Sequence, residues 1–483
     1  MSVAPRTAAP RPLATGAARR PRSEIRALTG LRIVAAMWVV LYHYEPELMP
    51  YVDQLPGSHA IISAGWIGVE LFFVLSGFVI ARGYLDECGR RWSTAGAARF
   101  IANRFARVWP AWAAVTAVAC AWFVAADLLA LRGRIADTYP PIELVALLRQ
   151  LTMTQMWGAE SLVGTSYVSP GWSISAEWLA YLAFPLLALA MRVFLRVHPA
   201  VNLVLATAAM SPLVLTSFLN GTDDIEMPWL LRIACSFVAG VLASCAFADL
   251  EGTGRGERWG QRLTTGSLVT VGVVLFWANW RTGLEVAAGE EFGKYSAVAV
   301  ACWPLLITGL ALSDRGPARF LSRDAMVYGG RVSYCLYLTH AVVRDISLGV
   351  LWHDPSAAGT RTPGYVLLVP ALAVVSFFCA MALHHGVEEP ARRRLVRLWS
   401  GRRAVETAAA SEQSRPVAGA ASARPSGDVL AARWLTSLPS SSGGPQPLAA
   451  PLALAPRSRT VTPPGLPADA PLAAGDGRPR SRG

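Results

Sequence analysis

Long apolar runs alternate with short charged ones along the whole chain, and the runs are too long for a soluble core. Ten reach the roughly 20 residues that cross a hydrocarbon layer of about 30 Å. They fall near residues 30–50, 66–85, 108–131, 173–195, 200–219, 229–249, 264–283, 296–313, 332–351 and 364–386. The pattern predicts an all-α fold, a polytopic transmembrane helical bundle of about ten spans. The stretch 132–170 breaks the alternation, and its segment around 143–157 reads as a short helix lying against the outer face. Residues 1–26 and 399–483 carry Ala, Pro, Ser and Arg without apolar periodicity and read as disordered cytoplasmic tails. They flank a transmembrane domain over 27–398.

Composition agrees with this reading, since 53% of the 483 residues are hydrophobic and only 16% are charged. Charge then sets the topology. With the N-terminus inside, the inner loops hold fifteen Arg, including Arg82, Arg99, Arg104, Arg107 and Arg331, and the outer loops hold six basic residues. An even number of spans with both termini cytoplasmic satisfies the positive-inside rule. The net charge of +12 is explained by these loop and tail arginines, so no nucleic-acid partner is expected. Arg19-Arg20 ahead of an apolar run has the look of an export signal, but the run carries His43 and leads into further spans, so it reads as a retained first helix. The seven cysteines show no CxxC pair and read as reduced packing residues, and neither a metal site nor a Walker or GxGxxG loop is expected.

Polar groups inside the spans are the candidates for chemistry, because burying them in lipid is costly. In Thr29 to Pro50, Arg32 and His43 stand eleven steps apart, about three turns plus roughly 20°, so they share one face. The histidine then lies about 16 Å further along the axis, near the middle of the span. The stripe suggests a path leading inward from the interface; a packed histidine and an anchoring arginine describe it equally well. Glu70 in the second span and Glu177 in the fourth fall at similar depths near the outer face, and a carboxylate beside His43 would fix its tautomer. The glycines around Glu70 would let a neighbouring helix approach closely. Arg104 and Arg107, three apart, share a helix face suited to phosphate or to setting topology. His340 is a second histidine near mid-span, either packed or part of a site. His384 to Pro390 is read as helix termination at the cytoplasmic face.

Five motifs in order carry a resemblance. Arg32 to His43 with ten residues between, GVELFFVLSGF at 68–78, RFARVWP at 104–110, WSISAEWLAYLAFP at 172–185 and SYCLYLTH at 333–340 together resemble the acyltransferase-3 family of membrane O-acyltransferases. The match runs from about Ile25 to Arg394. The resemblance implies transfer of an acyl group, commonly acetyl, from cytoplasmic acyl-CoA as co-substrate to a hydroxyl on a carbohydrate, lipid-linked saccharide or macrolide, with no metal. It implies an enzyme of groups other than amino-acyl groups, seated in a bacterial inner membrane among lipids. Roles fall on His43, Glu70, Glu177 and His340 for chemistry and on Arg32, Arg104 and Arg107 for the donor. No GDS-type motif of a fused SGNH domain follows Arg403. Ala341-Val342-Val343 stands where the family often has proline after the ninth-span histidine. His43 would either deprotonate the acceptor or carry the acyl group itself. The alternative is a proton-coupled transporter of a small polar substrate, although no internal repeat is visible.

Overall fold

In the computed structural model of the chain, residues 23–52, 55, 57–131, 139–220, 227–285, 294–351 and 363–399 are described. Of the tails expected at 1–26 and 399–483, residues 1–22 and 400–483 lie outside the described residues, and Arg26 already belongs to the first helix. Every regular element among the described residues is helical. In order they are α1 (Arg26–His43), α2 (Glu45–Val52), α3 (Ser58–Ser63), α4 (Ile67–Cys88), α5 (Thr94–Leu128), α6 (Leu144–Leu151), α7 (Trp172–Met191), α8 (Pro199–Ala209) and α9 (Ser211–Asn220). There follow α10 (Pro228–Leu250), α11 (Gly254–Glu285), a 3-10 segment at Lys294–Cys302, α12 (Trp303–Leu312), α13 (Pro317–Leu321), α14 (Asp324–Leu351) and α15 (Pro363–Leu383).

Each of the ten apolar runs is found as helix, with five differences in detail. α1 starts at Arg26 and stops at His43, because the chain turns at Tyr44 before α2. Arg32 is therefore the seventh residue of its helix, and His43 is its last residue, where the sequence suggested the middle. α5 is 35 residues long and begins at Thr94, where Ser93 caps it by accepting from the Gly96 amide at 3.1 Å. Arg99, Arg104 and Arg107 thus ride on the same helix as the third span, in keeping with the helix face expected for Arg104 and Arg107. The fifth run breaks at Met210, and the eighth begins as the 3-10 segment. The helix after α15 passes through a π turn at His384–Glu388 and continues to residue 399, so those residues do not end it. Eight helical segments are long and apolar enough to cross a membrane. α1 and α14 complete the ten; they carry Arg32, Arg331, Arg344 and Asp345, and they pack along each other.

The centre of the bundle is the α4–α10 pair. Their apolar windows are 89% and 78% buried, against 22% for α11, which sits at the rim. The pair meets at glycines: a Cβ on Gly77 would lie 2.2 Å from the Phe237 carbonyl oxygen, and one on Gly240 would lie 2.1 Å from that of Val74. Gly65 and Gly68 likewise bring α4 and the turn before it onto α1. Small residues let backbones approach where no hydrophobic force distinguishes helix from lipid.

Contacts fix the relative directions. Thr29 meets Gly330, His43 meets His340 and Glu47 meets Arg344, so α1 and α14 run parallel. α15 runs back, with Ser376 beside Tyr44 and His385 beside Tyr328. Glu24, bonded to Arg331 at 2.9 Å, and the helix beyond His384 therefore lie at the same end of the bundle. The segment 139–171 folds against the opposite end of α5. Trp109 and Trp112 donate to the Leu151 and Gln150 carbonyls, and Met153, Met156, Tyr167 and Val168 are buried under it. α6, at its edge, turns Leu144, Val145 and Leu148 outward, as the expected surface helix would.

Candidate functional site

Two histidines from parallel helices meet where α1 ends. His43 Nδ1 lies 2.9 Å from the Val39 carbonyl oxygen and 3.3 Å from His340 Nε2, with ring centroids 4.9 Å apart. His340 Nδ1 lies 3.1 Å from the Leu336 carbonyl oxygen. A carbonyl only accepts, so Nδ1 of His340 must carry its proton and Nε2 its lone pair. That lone pair accepts from His43 Nδ1–H, which is shared with Val39. The tautomers assigned in this way leave the lone pair of His43 on Nε2, the arrangement of a general base. His340 is fully buried and His43 is partly exposed. Tyr44 locks the junction: its hydroxyl donates to the His340 carbonyl at 3.0 Å and is 2.9 Å from Ser376 Oγ.

The carboxylates expected to orient His43 have other partners. Glu70, 0% exposed, receives Arg232 Nε at 2.5 Å. Arg232 lies between Trp172 and Trp66, its guanidinium carbon 4.5 and 5.2 Å from their ring centroids. Glu177 accepts the Tyr181 hydroxyl at 2.5 Å, and Tyr181 in turn lies 3.4 Å from Ser76. The group that orients His43 is therefore His340, and Glu70 and Glu177 belong to separate polar links. Arg232 is the residue the sequence reading missed. An arginine five residues into a helix whose apolar window is 78% buried, at the level of a buried glutamate, is the signal that would have found it.

At the far end of α1 from the histidines a cavity of about 1000 Å³ opens between α1, α4, α5 and α7. Its wall includes Arg32, Arg82, Arg90, Arg91, Arg99 and Arg104. Several are already paired: Arg82 with Glu251 at 3.0 Å, Arg90 with Asp86 at 2.8 Å and Arg99 with Glu87 at 3.9 Å. Arg32 and Arg104 have no carboxylate partner among the described residues. Arg104 instead rests over Tyr84 and Phe100, its guanidinium carbon 5.7 and 5.9 Å from the ring centroids. At the mouth, partial burial pushes the Glu24 carboxyl up, but hydrogen bonds from Arg331 and Thr29 outweigh it and hold the carboxyl below the usual range. Eleven residues of helix at about 1.5 Å each separate Arg32 from His43, roughly 16 Å.

Arg107 does not line this cavity. It pairs with Glu388 of the π turn, and Glu388 is 0% exposed. The other oxygen of Glu388 accepts from His384 Nδ1 at 2.7 Å and Cys335 Sγ at 3.1 Å. Cys335, His384 and Glu388 offer three metal-ligating atoms close together. Two of them aim at one carboxylate oxygen at hydrogen-bond distance while a guanidinium holds the other, so the cluster is a satisfied buried carboxylate. The π turn is what swings Glu388 inward, and nothing in HHGVEEP announces it.

Residues 25–385 match the acyltransferase domain that defines the acyltransferase-3 family. The chain is 27% identical over 400 residues to "Acyltransferase MdmB" of Streptomyces mycarofaciens, covering 79% of this chain and 94% of that protein. It is 33% identical over 155 residues to "Protein 2 in picA locus" of Rhizobium radiobacter, covering 31% of this chain and 75% of that protein. No solved structure matches.

Proposed function

The chain belongs to the acyltransferase-3 family, and from that premise we propose that this multi-pass membrane acyltransferase moves an acetyl group from cytoplasmic acetyl-CoA to a hydroxyl of a carbohydrate or similar acceptor. The observation that carries the reading is the two-ended site along α1: a cation-lined cavity at one end and a histidine dyad at the other, about 16 Å apart. Acyl-CoA has the matching shape, with phosphates at one end and a thioester at the end of a long flexible arm. Arg32 and Arg104, two of the cavity arginines with no carboxylate partner among the described residues, hold the phosphates, and guanidinium is the side chain best suited to that task. Arg107 acts at one remove, held in place by Glu388. The excess of arginine at this end supports a cytoplasmic orientation, and this reading seats the protein in a bacterial inner membrane.

The chemistry follows from the tautomers. His43 Nε2 removes the proton from the acceptor hydroxyl as its oxygen attacks the thioester carbonyl. The carbon–sulfur bond breaks and the coenzyme thiolate leaves, to be protonated by the imidazolium of His43. His340 accepts from His43 Nδ1–H throughout and so keeps the reacting nitrogen aimed.

Membranes bearing the protein, given radiolabelled acetyl-CoA, are expected to deposit label in an extracted glycan, lipid or small-molecule fraction. Arg32→Ala with Arg104→Ala is expected to raise KM for acetyl-CoA about tenfold or more, in line with loss of charge-assisted hydrogen bonds. An unchanged KM would remove the donor assignment. Uptake of a solute with no label transferred would favour a carrier.

A further inference from the structure

One helical turn outward from the histidine dyad, the same two segments place a second polar pair. Arg344 follows His340 by four residues on α14 and so shares its face, and Glu47 follows His43 by four residues across the turn at Tyr44. Arg344 sends both Nε at 3.0 Å and Nη2 at 2.7 Å to Oε1 of Glu47. Glu47 is 2% exposed, and its other oxygen, Oε2, is buried with no hydrogen-bond partner among the described residues. An acceptor atom left unsatisfied in the interior costs free energy, so its retention calls for a role, and completion by a bound donor is one that fits a catalytic site. The guanidinium fixes the carboxylate in direction, so Oε2 is a pre-set acceptor for a donor that arrives from outside the fold.

We infer that Glu47, held by Arg344, is the acceptor-recognition group, and that it selects acceptors carrying a second hydroxyl next to the one that is acylated, as on a sugar ring. The inference rests on the proposed transfer to a hydroxyl at His43. On α14 one unbroken helical turn, about 5–6 Å, separates His340 from Arg344, so their partners His43 and Glu47 stand about a turn apart, a gap that two adjacent ring hydroxyls bridge, each reaching about 2.8 Å to its own partner. One hydroxyl gives its proton to His43 Nε2 and is acylated. Its neighbour donates to Glu47 Oε2 and is left unmodified. The pair stands at the opposite end of α1 from the arginine-lined cavity, so recognition of the acceptor and binding of the donor use separate ends of the same helix.

Cyclohexane-1,2-diol and cyclohexanol differ in this one hydroxyl and serve as probes, with radiolabelled acetyl-CoA as donor and purified full-length protein. Wild type is expected to show a kcat/KM for the diol at least about tenfold above that for the mono-alcohol, because a site built to bond a hydroxyl rejects the analogue that lacks it. Glu47→Gln, which turns the accepting oxygen into a donating amide while keeping an oxygen for Arg344, is expected to bring the ratio close to one, chiefly through a higher KM for the diol. Glu47→Asp is expected to retain part of the preference. KM for acetyl-CoA, unchanged in both variants, reports an intact fold. A wild type with no preference, or a Glu47→Gln protein that keeps it, would overturn the assignment, since a purely structural ion pair has no means of telling diol from alcohol. If neither probe is labelled by wild type, the transfer reading fails first and takes this assignment with it.

Discussion

His43→Ala is expected to lower acyl transfer about 10²–10⁴-fold, the range general acid–base catalysis supplies. Two features concentrate the loss on this residue. Its Nε2 is the nitrogen that the tautomer assignment leaves basic, and His340 Nε2, 3.3 Å away, is committed to accepting from it. His340→Ala should cost less, since His43 keeps its bond to Val39 at 2.9 Å and loses only the partner that narrows its orientation. The double variant should be little worse than His43→Ala alone, because residues acting as one unit are not additive. The check is initial rate at saturating labelled acetyl-CoA, together with KM for acetyl-CoA, which should stay near the wild-type value in all three. A His43→Ala protein that transfers at wild-type rate would remove the mechanism, and one with a raised donor KM would move His43 into the donor site.

The largest effect on stability is expected at Glu70 and Arg232. Replacing either alone by alanine should destabilise the protein by about 3–5 kcal/mol, since it strands the other charge in the interior. For Glu70→Ala the stranded group is a guanidinium clamped between Trp66 and Trp172; for Arg232→Ala it is a carboxylate with 0% exposure. Glu70→Leu combined with Arg232→Met should recover most of the loss, because no charge is then left uncompensated. Thermal unfolding in detergent reads the difference. If the double replacement unfolds as early as the single ones, the pair is doing more than neutralising itself. If its transfer rate also collapses, Glu70 has a role in the chemistry that its present partner does not suggest.

Much of the architecture was legible in advance. The ten apolar runs reappear as helical segments, because a span must be both long and apolar and few other sequences are. The glycines near Glu70 could be assigned to close approach, and Gly65, Gly68 and Gly77 all make one. The separation of Arg32 from His43 could be read along a single helix from rise and turn alone. The matching motifs gave the reaction class, which family membership supports.

Other features depended on what lies across the bundle. Hydropathy sees a window of residues and has no term for a turn, so it ran the first helix past Tyr44 and began the third span at 108, past the arginines with which α5 starts. Whether Glu70, Glu177 or His340 stands beside His43 depends on how α4, α7 and α14 rotate about their axes, and a polar residue inside a span carries no local sign of that rotation. Arg107, Glu388, Cys335 and His384 come together only because a π turn redirects one side chain, and Glu47 meets Arg344 only because α1 and α14 run parallel.

By itself the sequence determined that this chain is an all-helical membrane protein, where its helices fall, and which polar residues the interior has to accommodate, since each of these follows from local periodicity and the cost of burying charge. Only the tertiary structure decided which polar residue pairs with which. Partner choice is set by helix rotation and direction between segments up to about three hundred residues apart, and no local rule carries that information.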